Sequence, residues 1–123
     1  MRKSQEYFKE INDALRGQAL RDKGVPPERV DWGGTSVVLD LFDSATSAPE
    51  RGEFVQALAK IIDESPEAPV VAQVIHIASS LDILDVQPNV AKVRGRKEVG
   101  ADPAVVAAVN NYEVFRNLRT HKK

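Results

Sequence analysis

Aspartates three residues apart are the clearest candidates for acid–base or metal chemistry in this chain. Asp40 and Asp43 form one such pair, and Asp82 and Asp85 form the other. On a helix this spacing places two carboxylates on one face, where they could bind Mg²⁺ or act as general acid and base. Such pairs are also common on solvated helix faces, and nothing around either pair indicates a pocket. We therefore expect neither pair to form an active site.

Other residue types associated with catalysis or cofactors are absent or isolated. The segment 33–36, Gly-Gly-Thr-Ser, is similar to the start of a phosphate-binding loop, but the lysine and the further glycine of that motif are missing. His76 has no histidine or carboxylate three or four residues away, and the chain has no cysteine. Structural zinc sites need such clusters. The sequence therefore predicts no catalytic, cofactor-binding or metal-binding residues, and a protein that is not an enzyme.

The charges are distributed unevenly, although the net charge is only −1. Residues 49–86 carry two basic and seven acidic side chains, whereas residues 87–123 carry eight basic and three acidic ones. Such asymmetry favours a partner that is recognised electrostatically. The alternative is that the acidic middle and the basic last third face each other within the fold, or serve only solubility.

Helices are the elements that must position these residues. Apolar residues recur at spacings of three and four, and prolines and capping residues mark the helix starts, with Ser65 as the expected N-cap of the fourth helix. A brief helix is also expected from Pro88 to Gly95, followed by a basic loop. The five main helical segments are predicted at about 4–23, 35–45, 49–63, 66–84 and 102–119.

The segment 35–45 is compatible with two kinds of element, because its short apolar run fits either a buried strand or a helix. A lone strand has no partner in this chain, so a helix with Thr35 as its N-cap is favoured. Before it, residues 24–34 are expected to form a loop in which Trp32 anchors the chain to the core, with an exposed binding residue as the alternative.

These elements predict an all-α fold, an irregular bundle of about five helices. We expect a single domain over residues 1–123, with a frayed basic tail at 119–123. The residues expected in its core are Phe8, Ile11, Leu15, Leu41, Phe42, Phe54, Leu58, Ile61, Val74, Ile75, Ala78, Leu81, Val109, Tyr112 and Phe115.

Residues 54–81 resemble one HEAT-type helical hairpin. An apolar stripe ends at Ile62, an acidic turn with Asp63 and Glu64 follows, and a second apolar helix starts near Val70. The resemblance covers about a quarter of the chain. Together with the charge asymmetry, it favours a non-catalytic interaction or regulatory module that binds another macromolecule, with a protein as the favoured partner.

A helix-turn-helix is the alternative, with nucleic acid as the partner. Residues 78–84 and 88–94 would be its helices, 85–87 its turn, and 88–97 its basic binding segment. Asn and Arg suit base edges, and Lys and Arg suit phosphates. The motif usually has a glycine in its turn, which this chain lacks. The candidate partner-binding residues are Asn89, Lys92, Arg94, Arg96, Lys97, Arg116 and Arg119.

A homo-oligomer is also possible, with the acidic middle of one copy meeting the basic last third of another. No membrane association is expected, because the most apolar stretch, residues 68–78, is short and interrupted by Gln73 and His76. The start of the chain lacks the apolar stretch of a secretory signal. A cytoplasmic location is therefore expected.

Overall fold

All the regular secondary structure in the described part of the chain is helical. The computed structural model describes residues 3–21 and 33–121, and within them it contains seven helices and no strand. The all-α class is confirmed, and so is the helix expected at 35–45. Most of the loop expected at 24–34, including Trp32, lies outside the described residues. The helices are α1 Ser4–Arg21, α2 Gly33–Ser44, α3 Ala48–Glu64, α4 Ala68–Ser80, α5 Gln87–Val93, α6 Lys97–Ala101 and α7 Pro103–His121.

Local capping explains why α3 and α7 begin where the sequence predicts. The Ser47 hydroxyl accepts a hydrogen bond from the Glu50 N–H at 3.3 Å and donates one to the Glu50 carboxylate at 3.2 Å. The Asp102 carboxylate accepts one from the Ala104 N–H at 2.9 Å. These bonds satisfy N–H groups that have no partner within their own helix.

Two other predicted caps are wrong. Helix α2 begins at Gly33, so Thr35 lies inside its first turn and donates its N–H to the Gln18 side-chain oxygen at 2.9 Å. Helix α4 begins after Glu67 rather than at Ser65, whose hydroxyl accepts a hydrogen bond from the Glu67 N–H.

Helix α4 also ends earlier than predicted, at Ser80 rather than Leu84. Asp82 has a φ of 66°, in the left-handed region that stops a right-handed helix. Asp82 and Asp85 therefore do not share a helix face, and the turn that follows α4 is longer than the predicted 85–87. Asp40 and Asp43 do lie on one helix, α2, where both are exposed.

Two short helices follow the turn. Helix α5 confirms the brief helix expected after Pro88. Helix α6 occupies residues predicted to be a basic loop. A Cβ atom on Gly100 would lie 2.5 Å from the carbonyl oxygen of Val93, so the absence of a side chain lets α6 pack against the end of α5.

The chain divides into two compact units within α3, residues 1–57 and 58–123, and the single domain stays a prediction. In the first unit α1 packs against α2, where Gly34 closely approaches Ala14. The Tyr7 ring meets the Phe54 ring edge-on, with centroids 5.5 Å apart. Tyr7 is buried, whereas its neighbour Phe8 is only half-buried.

In the second unit α4 packs chiefly against α7. The Tyr112 hydroxyl lies in this core and donates a hydrogen bond to the Ile83 carbonyl at 2.7 Å. Ten predicted core residues across the chain are buried, but five are only partly so. The five exceptions are Phe8, Leu41, Phe42, Leu81 and Phe115.

Candidate functional site

Arg96, one of the predicted binding residues, is hydrogen-bonded within the fold. Its guanidinium is half-buried and donates hydrogen bonds to the carbonyl oxygens of Ile62 at 2.8 Å and Ser65 at 2.6 Å. Carbonyls at the end of a helix have no partner within that helix. Arg96 therefore closes the end of α3, and contact with a partner would compete with these two bonds.

Asn89 and Arg94 are also engaged within the second unit. The Asn89 amide donates to the Asp63 carboxylate at 2.7 Å. The Arg94 guanidinium donates to the Asn110 side-chain oxygen at 2.9 Å and lies 2.8 Å from the Glu113 carboxylate. Side-chain exposures of 51% and 37% place the Arg94–Glu113 pair at the surface, where water weakens it.

Among the predicted binding residues, Arg94 and Arg96 are held by different helices. Arg94 contacts α7, whereas Arg96 contacts the end of α3. Lys92 and Lys97 are exposed on α5 and α6. The side chain of Arg119 lies outside the described residues.

Arg116 stands in a different setting, beside a cleft between α5 and α7. The cleft has a volume of about 160 Å³. Arg116 is half-buried, and its Nε atom is fully buried without a hydrogen-bond partner among the described residues. The lining residues are Gln87, Val90 and Ala91 from α5, and Tyr112, Glu113 and Arg116 from α7.

Two other polar groups of the cleft, those of Tyr112 and Glu113, are already engaged. Burial, reinforced by the Asp85 carboxylate and opposed in part by Arg116, raises the pKa of Tyr112 to about 12. Tyr112 therefore stays protonated at neutral pH, and its hydroxyl donates a hydrogen bond to the Ile83 carbonyl. The Glu113 carboxylate is paired with Arg94. The Arg116 guanidinium and the Gln87 amide remain as the groups that could meet a ligand.

The size of the cleft decides what it can hold. Pockets for small-molecule ligands usually measure roughly 300–1,000 Å³, whereas a cavity of roughly 150 Å³ holds a guest the size of benzene. A cleft of about 160 Å³ thus suits one side chain rather than a cofactor. Within residues 3–21 and 33–121, no three His, Cys, Asp or Glu side chains are placed to hold a metal ion.

Sequence reasoning identified Arg116 by its charge but missed the other cleft residues. Tyr112 and Arg116 are four residues apart, so their shared helix face was available as a signal. The residues of α5 that line the cleft could not be found from spacing, because Gln87 is distant in sequence from α7.

None of the described helices is long and apolar enough to cross a membrane. Comparison with known protein families, characterised proteins and solved structures found no match for this chain.

Proposed function

We propose that this chain is a non-catalytic helical module that binds another protein through the α5–α7 cleft. In this proposal an acidic side chain of the partner enters the cleft and pairs with Arg116. The unpartnered Nε of Arg116 carries the proposal. A buried donor without a partner costs about 1–3 kcal/mol, and a rotation of the Arg116 side chain into the cleft would let a carboxylate satisfy it with a charge-assisted hydrogen bond.

The helix order offers further support for a binding module. Helices α3 and α4 follow each other across the short segment 65–67. Residues 54–81 resemble one HEAT-type hairpin, and we propose an irregular helical bundle that includes this hairpin. Stacked helical hairpins are used in many proteins as binding surfaces. A regulatory role and a cytoplasmic location remain predictions.

Nucleic-acid binding by a helix-turn-helix has less support. The main residues that would contact the nucleic acid are Asn89, Arg94 and Arg96. All three are hydrogen-bonded within the second unit. Lys92 and Lys97 would then have to supply much of the phosphate contact. Nucleic-acid affinity depends on many such contacts, each of which adds to its salt dependence.

Partner capture from the source cells tests the proposal. The tagged chain should retain the same protein with and without nuclease. Arg116→Ala should weaken retention at least about tenfold, because truncating one member of a buried charged pair costs about 2–5 kcal/mol. Lys92→Ala is the matched control, since it removes an exposed cation from α5. Loss of the captured protein after nuclease treatment, or equal losses in both variants, would contradict the proposal.

A further inference from the structure

Glu113 has two cations as neighbours, one on its own helix and one on α5. It is the one carboxylate among the described residues that line the cleft with Arg116. Glu113 and Arg116 are three residues apart on α7. Side chains at this spacing are neighbours on a helix, and opposite charges placed so attract each other. In the structure, however, the Glu113 carboxylate is paired with Arg94 at the end of α5, at 2.8 Å.

Arg94 is held in place by a second bond to α7. Its Nη2 atom donates to the Asn110 side-chain oxygen at 2.9 Å and is the same atom that meets Glu113. Asn110 precedes Glu113 by three residues, and Arg116 follows Glu113 by three. Arg94 therefore holds the Glu113 carboxylate on the side of Asn110, whereas Arg116 attracts it towards the other end of the helix.

We propose that Arg94 is a positioning residue, which keeps the cleft open to a partner by holding Glu113 away from Arg116. This inference rests on the proposed function, in which a carboxylate of the partner pairs with Arg116. Without Arg94, Glu113 offers Arg116 the same chemical group from within the chain, and the partner has to displace it.

The size of the effect follows from the strength of the internal pair. The apparent affinity of a partner is reduced by the fraction of chains whose Arg116 is still free. Surface ion pairs are weak, so the competing pair occupies Arg116 only part of the time. The loss of Arg94 therefore lowers the affinity about two- to fivefold, much less than the loss of Arg116 itself.

Nuclear magnetic resonance of the arginine Nε–H groups tests the pairing in the chain alone. The Nε of Arg116 is buried, so its proton is shielded from exchange with water and can be observed. Arg94→Gln should shift this signal, because Glu113 then pairs with the Arg116 guanidinium. Adding Glu113→Gln should return the signal close to its original position, since the competing charge is gone.

Lys92→Gln is the matched control, because Lys92 is an exposed cation on the same helix as Arg94. It should leave the Arg116 signal in place. An Arg116 signal that does not move in Arg94→Gln overturns the proposal, whether or not a partner is found. An equal shift in Lys92→Gln, or a shift that persists in the double variant, also overturns it.

Retention of the protein captured by the unaltered chain measures the consequence for binding. Arg94→Gln should retain about two- to fivefold less of it. The double variant with Glu113→Gln should regain the loss, a rescue that a merely structural role of Arg94 would not give. If Arg116→Ala leaves retention unchanged, the proposed function fails, and the Arg116 signal still decides the pairing. If Arg116→Ala weakens retention but Arg94→Gln does not, this inference fails and the proposed function stands.

Discussion

Arg96 stabilises the fold by closing the end of α3. Its two hydrogen bonds reach the carbonyls of Ile62 and Ser65. We expect Arg96→Met to lower the free energy of unfolding by about 2–4 kcal/mol, because hydrogen bonds from a charged group contribute about 1.5–3 kcal/mol each and Arg96 is only half-buried. Urea unfolding measures the loss.

Arg94→Met is the control for this prediction. Arg94 and Glu113 form an exposed pair, so its loss should cost less than about 1 kcal/mol. If both variants lose stability equally, the carbonyls at the end of α3 are satisfied as well by water as by Arg96.

The role of Arg96 and the burial of Tyr7 could not be predicted from local sequence. The partners of Arg96 lie 31 and 34 residues away, so no local spacing distinguishes it from a solvent-exposed cation. Tyr7 and Phe8 are both aromatic and adjacent, and the periodicity favoured Phe8 for the core. The edge-on contact with Phe54 buries Tyr7 instead. Both outcomes depend on tertiary contacts.

At the scale of elements, replacing a glycine by alanine should have opposite effects on stability in α6 and α3. A Cβ at Gly100 would lie 2.5 Å from the Val93 carbonyl oxygen and 2.8 Å from that of Arg94. Backbone atoms cannot move aside as a flexible side chain can, so Gly100→Ala should destabilise the fold by at least about 1 kcal/mol. Thermal unfolding measures the change.

Gly52 in α3 is the control, because nothing lies within 4 Å of the position that a Cβ atom would take there. Gly52→Ala should stabilise the fold by about 0.5–1 kcal/mol, the usual gain for alanine in a helix interior. Stabilisation by both substitutions would mean that α6 can move away from the end of α5.

Helices with local signals were predicted well, and helices that depend on packing were not. Proline and a capping residue mark the starts of α3 and α7, and both starts were placed within one residue. Helix α6 has only five residues and depends on the close approach of Gly100 to α5. The end of α4 depends on the left-handed Asp82, a conformation that aspartate only occasionally adopts.

At the scale of the whole molecule, Tyr112 makes the free energy of unfolding depend on pH in the alkaline range. Its pKa is about 12 in the folded chain and about 10 in an unfolded peptide, chiefly because of burial. Between these values the folded state retains a proton that the unfolded state loses. The contribution of Tyr112 is therefore complete below about pH 10 and is lost as the pH rises towards about 12.

Tyr112→Phe tests this by urea unfolding at several pH values from about 8 to 12. The variant should lose about 1 kcal/mol at neutral pH, with its hydrogen bond to Ile83. Its stability should then fall less steeply above about pH 10 than that of the unaltered chain. Parallel pH profiles would show that Tyr112 titrates at its ordinary value.

The packing of α4 on α7 has a consequence for how the chain is made. Helix α4 is buried along most of its length, and it packs chiefly against α7, which is synthesised later. During synthesis α4 leaves the ribosome first, so the side of α4 that packs on α7 must wait for residues 103–121 before it is shielded from water. Exposed apolar surface of this kind promotes aggregation. A chain shortened before Val105 should therefore collect in the insoluble fraction of expressing cells, however stable the complete protein proves to be.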